Sequence, residues 1–543
     1  MSGGAVGAGA HVFARQEGSP QAISGPTAPE GTPREDGQVV LGAARAPDSL
    51  HPWLAGTVAA FDVLDGVMDG LLRYSAEGKL RPALAEGFAI SDDGLTYTFK
   101  LRQNVRYHNG EPFSGEDFIA AWKLSRDRQF SALNTLGWLK VRDVQLPDPT
   151  TLVVTTTEPY APFLSTVATT YLCPAAALAE GVDGFIDIFA TAPVGTGPFQ
   201  IASWEPDQGV TLHRWEGYWG QPAKLEAIDY RTYPDLDALL AALADGSCDA
   251  AAGAGAIPPW RIGDMPDAAD LALFRHGTMN WQHIDLKQMA FLRETPVRQA
   301  LDFATPRQEL IDRVLGGRAI AAFADQSPES WAFAADLQPR PFNPERAASM
   351  LDAAGLVAGD DGVRARDGKR FEIDLWAVAG DEQARAMIEI VAAAWNAIGV
   401  STLPQYASPA ELWGPLGYQF SDRMTGCIYT WTNANDPDDL FYWHSSQIPA
   451  SPGGSGGNLP AFFYPYSFQE DIDRLTVEAA STLDFNRRRD LYGEIQALLS
   501  REAPVLFLYW EEAFPAVRSN VGGIWPSAWT PLLWNAADWY LTG

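Results

Sequence analysis

The densest set of side chains able to bind a partner in this 543-residue chain is Trp431-Thr432-Asn433-Ala434-Asn435-Asp436-Pro437-Asp438-Asp439. It offers a ring that stacks, amides and a hydroxyl that both donate and accept, and three carboxylates that could gather around a cation. Those three Asp also have a plainer use, as turn and helix-cap residues after an Asp-Pro step, and that use is the one expected. Gly453-Gly454-Ser455-Gly456-Gly457 formally matches a GxSxG nucleophile pattern. It lacks the strand–turn–helix setting that the pattern needs, so it reads as a surface loop. Glu511 and Glu512 are paired carboxylates of the kind a glycoside hydrolase uses. Neighbours on a strand face opposite ways, however, so this pair cannot flank one bond, and a hydrolase is only a remote alternative.

No P-loop, HExxH or other metal-spaced set of His and Cys is present. Cys173, Cys248 and Cys427 form no CxxC, and an odd number cannot pair completely. Each lies in apolar sequence, where buried free thiols are expected. The chemistry on offer is therefore non-covalent recognition without a cofactor or metal, which predicts a binding protein and not an enzyme.

Charge narrows the partner. The chain carries 39 basic against 68 acidic residues, a net charge of −29. That excludes a nucleic-acid binder, which needs a basic face, and an anionic membrane surface. A cationic ligand is compatible with it, although global charge does not locate a site. Nineteen Trp is a high number and favours stacking on a ligand such as a sugar or peptide, beside ordinary core packing. No window supplies the ~18 apolar residues that a membrane span requires.

The elements that must position these groups follow from periodicity. Residues 1–38 are rich in small residues and Pro and predict a tether or the remnant of an export signal; the basic segment and apolar run of a complete signal are missing. A strand at Val39–Gly42 precedes a helix carrying Phe61, Leu64, Val67, Met68 and Leu71 at helical spacing. Asp92-Asp93-Gly94 predicts a hairpin turn before the alternating Tyr97, Phe99 and Leu101. Ser114 with Asp117 predicts a helix entry of capping-box type. Leu236, Leu239, Leu240 and Leu243 mark a helix stopped at Gly246, followed by a strand at Cys248–Ala251. Later helices are expected after Pro344, through Met387, Val391, Trp395 and Ile398, and from Arg487 to Arg501; Val505–Trp510 reads as a buried strand. A chain this long divides into sub-domains, and two β/α halves with a return crossing predict an α/β fold of two lobes.

Several of these turns lie within motifs. Leu84-Ala85-Glu86 with Ser91 to Arg102, His108-Asn109-Gly110-Glu111-Pro112-Phe113-Ser114, Val194-Gly195-Thr196-Gly197-Pro198-Phe199, Gly217-Tyr218-Trp219, Thr295 to Leu301 and Glu502-Ala503-Pro504-Val505-Leu506 occur in order along the chain. Together they are very similar to the signature of the family 5 extracellular solute-binding proteins, the peptide- and nickel-type components of ABC importers. The resemblance runs from about Val39 to the C-terminus.

The resemblance implies a two-lobed periplasmic-binding-protein clamp (type II, cluster C) with an extra sub-domain in the first lobe. Its first-lobe core would comprise residues 39–74, 190–283 and 505–543, its inserted sub-domain 75–189 and its second lobe 284–504, with the hinge near 279–284 and 504–509. It implies a monomeric protein of the periplasm or extracellular face that captures a peptide-like solute by hinge closure and hands it to permease subunits in the membrane. An oligosaccharide or other solute is the alternative, since Trp, Asn and Thr suit sugars equally. The implied cleft residues are Gly56, Thr57 and Val58; Asn280 and Trp281; Trp413; Trp431, Thr432, Asn433, Ala434, Asn435 and Asp436; and Tyr509 and Trp510. One departure stands out. Peptide-binding relatives carry an Asp three residues after the Trp to pair with the peptide ammonium, and here that position is Ala434. Either Asp436 takes the role through a shifted turn, or the ligand is not a free peptide.

Overall fold

Apolar residues that alternate along strands and repeat on helices need surfaces to pack against, and this chain supplies several sheets, each with its own core. The computed structural model describes residues 31–34, 36–127, 136–178, 181–191 and 193–543.

The first lobe is built on seven strands, in spatial order Leu271–Leu273, Ala516–Arg518, Ala250–Ala251, Gln38–Ala43, Ala227–Thr232, Gly209–Arg214 and Phe199–Glu205. Gln38–Ala43 runs parallel to both Ala227–Thr232 and Ala250–Ala251. The chain passes between those two through the helix Leu236–Asp245. Asp235 caps that helix, and Gly246 ends it at φ 83°, a left-handed conformation that a residue without Cβ adopts at no steric cost. The helix Val58–Val67 packs into the core of the same lobe. Its buried Asp62 accepts the backbone N–H groups of Ala254 and Leu532, each at 2.8 Å, and so joins three distant stretches of chain.

An antiparallel sheet of four strands follows, in the order Ala85–Ile90, Thr96–Leu101, Thr151–Thr156 and Val141–Asp148. Its first hairpin closes through the Ser91 N–H to the Thr96 carbonyl at 2.9 Å, with Gly94 at φ 71°. Tyr97, Phe99, Trp138, Leu152, Val154 and Phe163 form its core. Ser114 and Asp117 make the expected capping box on the helix Gly115–Ser125.

The second lobe has six strands, in the order Ile320–Ala321, Val505–Ala513, His276–Leu286, Gly426–Thr432, Glu372–Val378 and Ser401–Ala407. The helices Thr295–Phe303, Arg307–Val314 and Glu382–Ala397 cover one face. Gln469–Ser481 and Phe485–Glu502 cover the other. Cys173, Cys248 and Cys427 are buried free thiols, and burial pushes the Cys248 thiol up to about 12.

Two boundaries differ from expectation. Val505–Ala513 is part of the second-lobe sheet, where it pairs with His276–Leu286 along nearly its whole length. A strand held in a ladder cannot also act as a hinge. The crossings therefore lie beyond the strand ends, at residues 274–275 and 514–515, and the Phe274 N–H donates to the Pro515 carbonyl at 2.8 Å. The expected tether also enters the fold early: Pro33 and Arg34 pair with Thr542 and Leu541. Residues 1–30 lie outside the described residues.

Arg298 holds the seam between the second-lobe helices. It is fully buried and donates to the carbonyls of Leu292 at 2.8 Å, Glu502 at 2.9 Å and Ala503 at 3.0 Å, and to the Thr295 hydroxyl at 3.0 Å. Ala503 is the left-handed C-cap residue of Phe485–Glu502, at φ 46°, so its carbonyl has no helical partner to fall back on. Arg298→Ala should lower unfolding free energy by about 3 kcal/mol or more, because each orphaned buried carbonyl costs roughly 1–3 kcal/mol. Guanidinium denaturation of the two proteins measures it.

Candidate functional site

The site begins with strand parity. In an extended strand alternate side chains share a face. On His276–Leu286 the even positions Asn280, Gln282 and Ile284 share one face, and on Gly426–Thr432 so do Ile428, Thr430 and Thr432. On Val505–Ala513 the register slips by one residue: Gln282 faces Tyr509 while His283 faces Phe507, leaving Leu508 as the extra residue of a bulge. Beyond the bulge the odd positions Tyr509 and Glu511 join the same face as Asn280. The helices cover this face over Ile284, Ile428 and Leu506, and Glu382–Ala397 reaches as far as Tyr509 through Gln383 and Met387. At the near end it carries a hydrogen-bonded polar row. The Thr432 hydroxyl donates to the Asn280 amide oxygen at 2.7 Å, and the Asn280 amide donates to Glu511 Oε2 at 2.8 Å. The Thr430 hydroxyl, which also contacts the Gln282 amide oxygen, reaches Glu511 Oε1 at 3.2 Å.

This row opens on a chamber of about 1170 Å³ between the lobes. The second lobe contributes Asn280, residues 432–439, Tyr442, Tyr509 and Glu511; the first contributes Val58, Asp65, Arg73, Tyr74, Tyr171 and Trp529. Hydrogen bonds close the walls. Asn435 Nδ2 donates to the Trp529 carbonyl at 2.7 Å, the Ala161 N–H donates to the Ala480 carbonyl at 2.7 Å, and the Tyr160 hydroxyl donates to Asp438.

The chamber is rich in carboxylates, most of which are already engaged. Asp436 is gripped by Arg488 through two nitrogens, at 2.8 and 3.3 Å, and Glu512 pairs with Arg275. Burial pushes Asp438 up, against the hydrogen bond from Tyr160. Asp439 is raised well above the carboxylate range by burial and by its neighbour Asp325. Burial lifts Asp62 to about 6. Asp65 rises to about 7, again chiefly through burial, with the Tyr171 hydroxyl and the Arg73 charge opposing it. Glu511 is raised by burial against the donors Asn280 and Thr430, and it makes no ion pair among the described residues.

Of the residues expected at the cleft, Val58, Asn280, Thr432, Asn433, Ala434, Asn435, Asp436 and Tyr509 line the chamber. Asp436 is not available to a solute ammonium, since its carboxylate is committed to Arg488. Gly56 and Thr57 stay outside the lining: both N–H groups donate to Asp48, and Thr57 caps the helix Val58–Val67. Three of the four Trp are displaced for one shared reason. Trp281 pairs across the ladders with Trp431 on one side and Trp510 on the other, on the opposite sheet face, which packs against the pair Gln469–Ser481 and Phe485–Glu502. The Trp431 ring lies 4.6 Å from Tyr442 and 5.1 Å from Trp281, centroid to centroid. Trp413 packs edge-on to Tyr429 beside a small separate core. Ring stacking on a sugar, the basis for an oligosaccharide, is thus not offered by these Trp.

Sequence reasoning missed Asp65, Arg73, Tyr74, Tyr171, Arg318 and Trp529 as chamber residues. They come from a helix, the short strand Leu72–Tyr74 and loops, with no local motif, and only packing gathers them. Glu511 and Glu512 were visible as a carboxylate pair, and both line the chamber; the bulge that sets Glu511 on the face of Asn280 was not visible.

Comparison with known proteins agrees with this geometry. Residues 79–450 match the model of the bacterial extracellular solute-binding proteins, family 5. The dipeptide-binding protein of Escherichia coli K12 is 27% identical over 481 residues, covering 81% of this chain and 83% of that protein. The glutathione-binding protein GsiB of Salmonella typhimurium is 28% identical over 505 residues, covering 90% and 92%. Among solved structures, the oligopeptide-binding protein AppA of Bacillus subtilis, in complex with a nonapeptide, superposes with a TM-score of 0.79 at 22% identity, covering 94% of this chain and all of that one. NikA of Brucella suis, in complex with Fe(III)-EDTA, gives 0.81 at 22% identity over 93% of this chain.

Two outcomes follow from the geometry. Trp431→Ala should cost about 3 kcal/mol of stability, the low end for a buried Trp because the ring is partly exposed, and should appear as a lowered midpoint in denaturant titration. Asp65→Asn should gain stability relative to the parent as pH rises from 5 to 8. The folded-state pKa of Asp65, about 7, lies above its ordinary value, so the parent carries a penalty that is absent when the group is protonated and complete once it ionises. The difference in thermal midpoint between the two proteins, followed against pH, measures this.

Proposed function

The chain belongs to the family 5 bacterial extracellular solute-binding proteins, and from that premise we propose that its interlobe chamber captures a small peptide and presents it to the permease of an ABC importer. The family is one of binding proteins, not enzymes. The observation that carries the reading is the chamber itself, lined by hydrogen-bonding groups from both lobes. Its volume of about 1170 Å³ exceeds the ~300–1,000 Å³ usual for drug-sized ligands, which suits a solute of more than one residue. The exposed ends of strands and loops supply both donors and acceptors, as an extended peptide requires. Arg318 lines the chamber, donates only to the carbonyls of Gly316 at 3.1 Å and Pro259 at 3.4 Å, and makes no ion pair among the described residues, so it is free to meet a carboxylate. The dipeptide- and glutathione-binding relatives support the same class of ligand.

Capture works by closure. The paired crossings at 274–275 and 514–515 are the narrow connection about which the lobes rotate. Contacts such as Asn435 to Trp529 and Tyr160 to Asp438 exist only when the lobes meet, so a solute that bridges both walls favours the closed state. The protein acts as a monomer at the periplasmic or extracellular face.

Adding a library of random tripeptides should raise the thermal midpoint and reduce the radius of gyration measured by small-angle scattering, whereas a set of malto-oligosaccharides should change neither. Stabilisation by the sugars alone would reverse the assignment.

A further inference from the structure

We infer that Glu511 is the anchor for a cationic group of the solute, a primary ammonium, in place of the carboxylate missing at Ala434. The inference rests on the peptide reading above and deepens it.

Asp436 and Glu512, which also line the chamber, are neutralised by Arg488 and Arg275. Asp438 is held by the Tyr160 hydroxyl, Asp65 by the Tyr171 hydroxyl, Asp439 by the Gln326 amide and Asp62 by two backbone N–H groups, partners that lie outside the polar row. Glu511 alone among these is held by a neutral amide and hydroxyl from the floor of the site itself. Asn280 and Thr430 each take one of its oxygens, which fixes the carboxylate plane and leaves the remaining lone pairs for a further donor. No Lys or Arg among the described residues makes an ion pair with it.

A buried carboxylate in that condition is costly, and an incoming ammonium with three N–H donors would relieve the cost while losing its own hydration. Strand geometry explains how the role can pass to it. Thr432, Asn280 and Glu511 form one continuous row across three adjacent strands, so Glu511 shares its sheet face with the residue that precedes the turn at Asn433 and Ala434. Chamber composition points the same way, since Arg73 and Arg318 are the only Lys or Arg among the described residues lining it.

The test uses the full chain, the random tripeptide library and the same library acetylated at its N-termini, read by native mass spectrometry and titration calorimetry. Expected is retention of free-amine peptides and at least about tenfold weaker retention of the acetylated ones, the size of loss that follows from removing one charge-assisted hydrogen-bonded pair. Glu511→Gln, which keeps the side chain's shape and its bond from the Thr430 hydroxyl, should bind the free-amine library about tenfold more weakly while its denaturation midpoint is unchanged or raised. Equal retention of both libraries by the parent would overturn the role of Glu511 and leave the peptide reading standing. Retention of neither library would overturn the peptide reading and this inference with it. An undiminished affinity in Glu511→Gln, with acetylated peptides still rejected, would place the ammonium elsewhere in the chamber and equally refute the assignment.

Discussion

The pairing of His276–Leu286 with two neighbours at once is the constraint on which the molecule depends. It is antiparallel to Gly426–Thr432 on one side and to Val505–Ala513 on the other. Because it follows directly from the first crossing, and Val505–Ala513 leads directly into the second, their ladder brings the two crossings side by side. The result is a connection narrow enough to flex, between lobes whose main sheets pack on separate cores. The same ladder sets which side chains face solvent between the lobes. An aromatic layer of Trp281, Trp431 and Trp510 is driven to one face, where it packs on helices, and a layer of amides, hydroxyls and a carboxylate is left on the other. The apolar layer stabilises the platform on which the polar layer is displayed.

Charge is arranged by the same logic. A chain of net charge −29 cannot avoid acidic residues near its cleft, and taking carboxylates out of water is expensive. The structure meets that expense in different ways. Arg488 and Arg275 supply counter-charges, while backbone N–H groups hold Asp62. Asp65 and Asp439 have their pKa values raised toward the neutral form. The carboxylates so treated are structural: they tie segments and lobes together. Glu511, also raised by burial, is set apart by its place: Asn280 and Thr430 hold it within the polar row of the sheet face that opens on the chamber.

Much of the local architecture was legible. Asp235 and Gly246 bracket a helix because an Asx side chain caps one end and a left-handed Gly closes the other, both within ten or so residues of sequence. Ser114 with Asp117, and Ser91 to Gly94, are equally local. The family motifs lie at such turns, so the α/β class and the two-lobed plan could be read from them. The stretch Asn433 to Asp436 was legible as chamber lining because it follows the end of a strand, where the chain leaves the sheet and its polar groups need partners.

What sequence alone determined, then, was the set of elements and the segment that enters the cleft. Which side of a strand meets the cleft was decided by tertiary structure. Alternation establishes that Trp431 and Thr432 part company, but not which of them points to the helices; that depends on what packs behind the sheet, and the largest apolar surfaces go where helices can bury them. The facing of Glu511 depends further on the bulge at Leu508, which exists only as a mismatch between two strands more than two hundred residues apart in sequence. Asp436 likewise looked free until Arg488, from a helix 52 residues later, was folded against it. Face, register and charge partner are properties of pairs of distant segments, so no single stretch of this chain contains them.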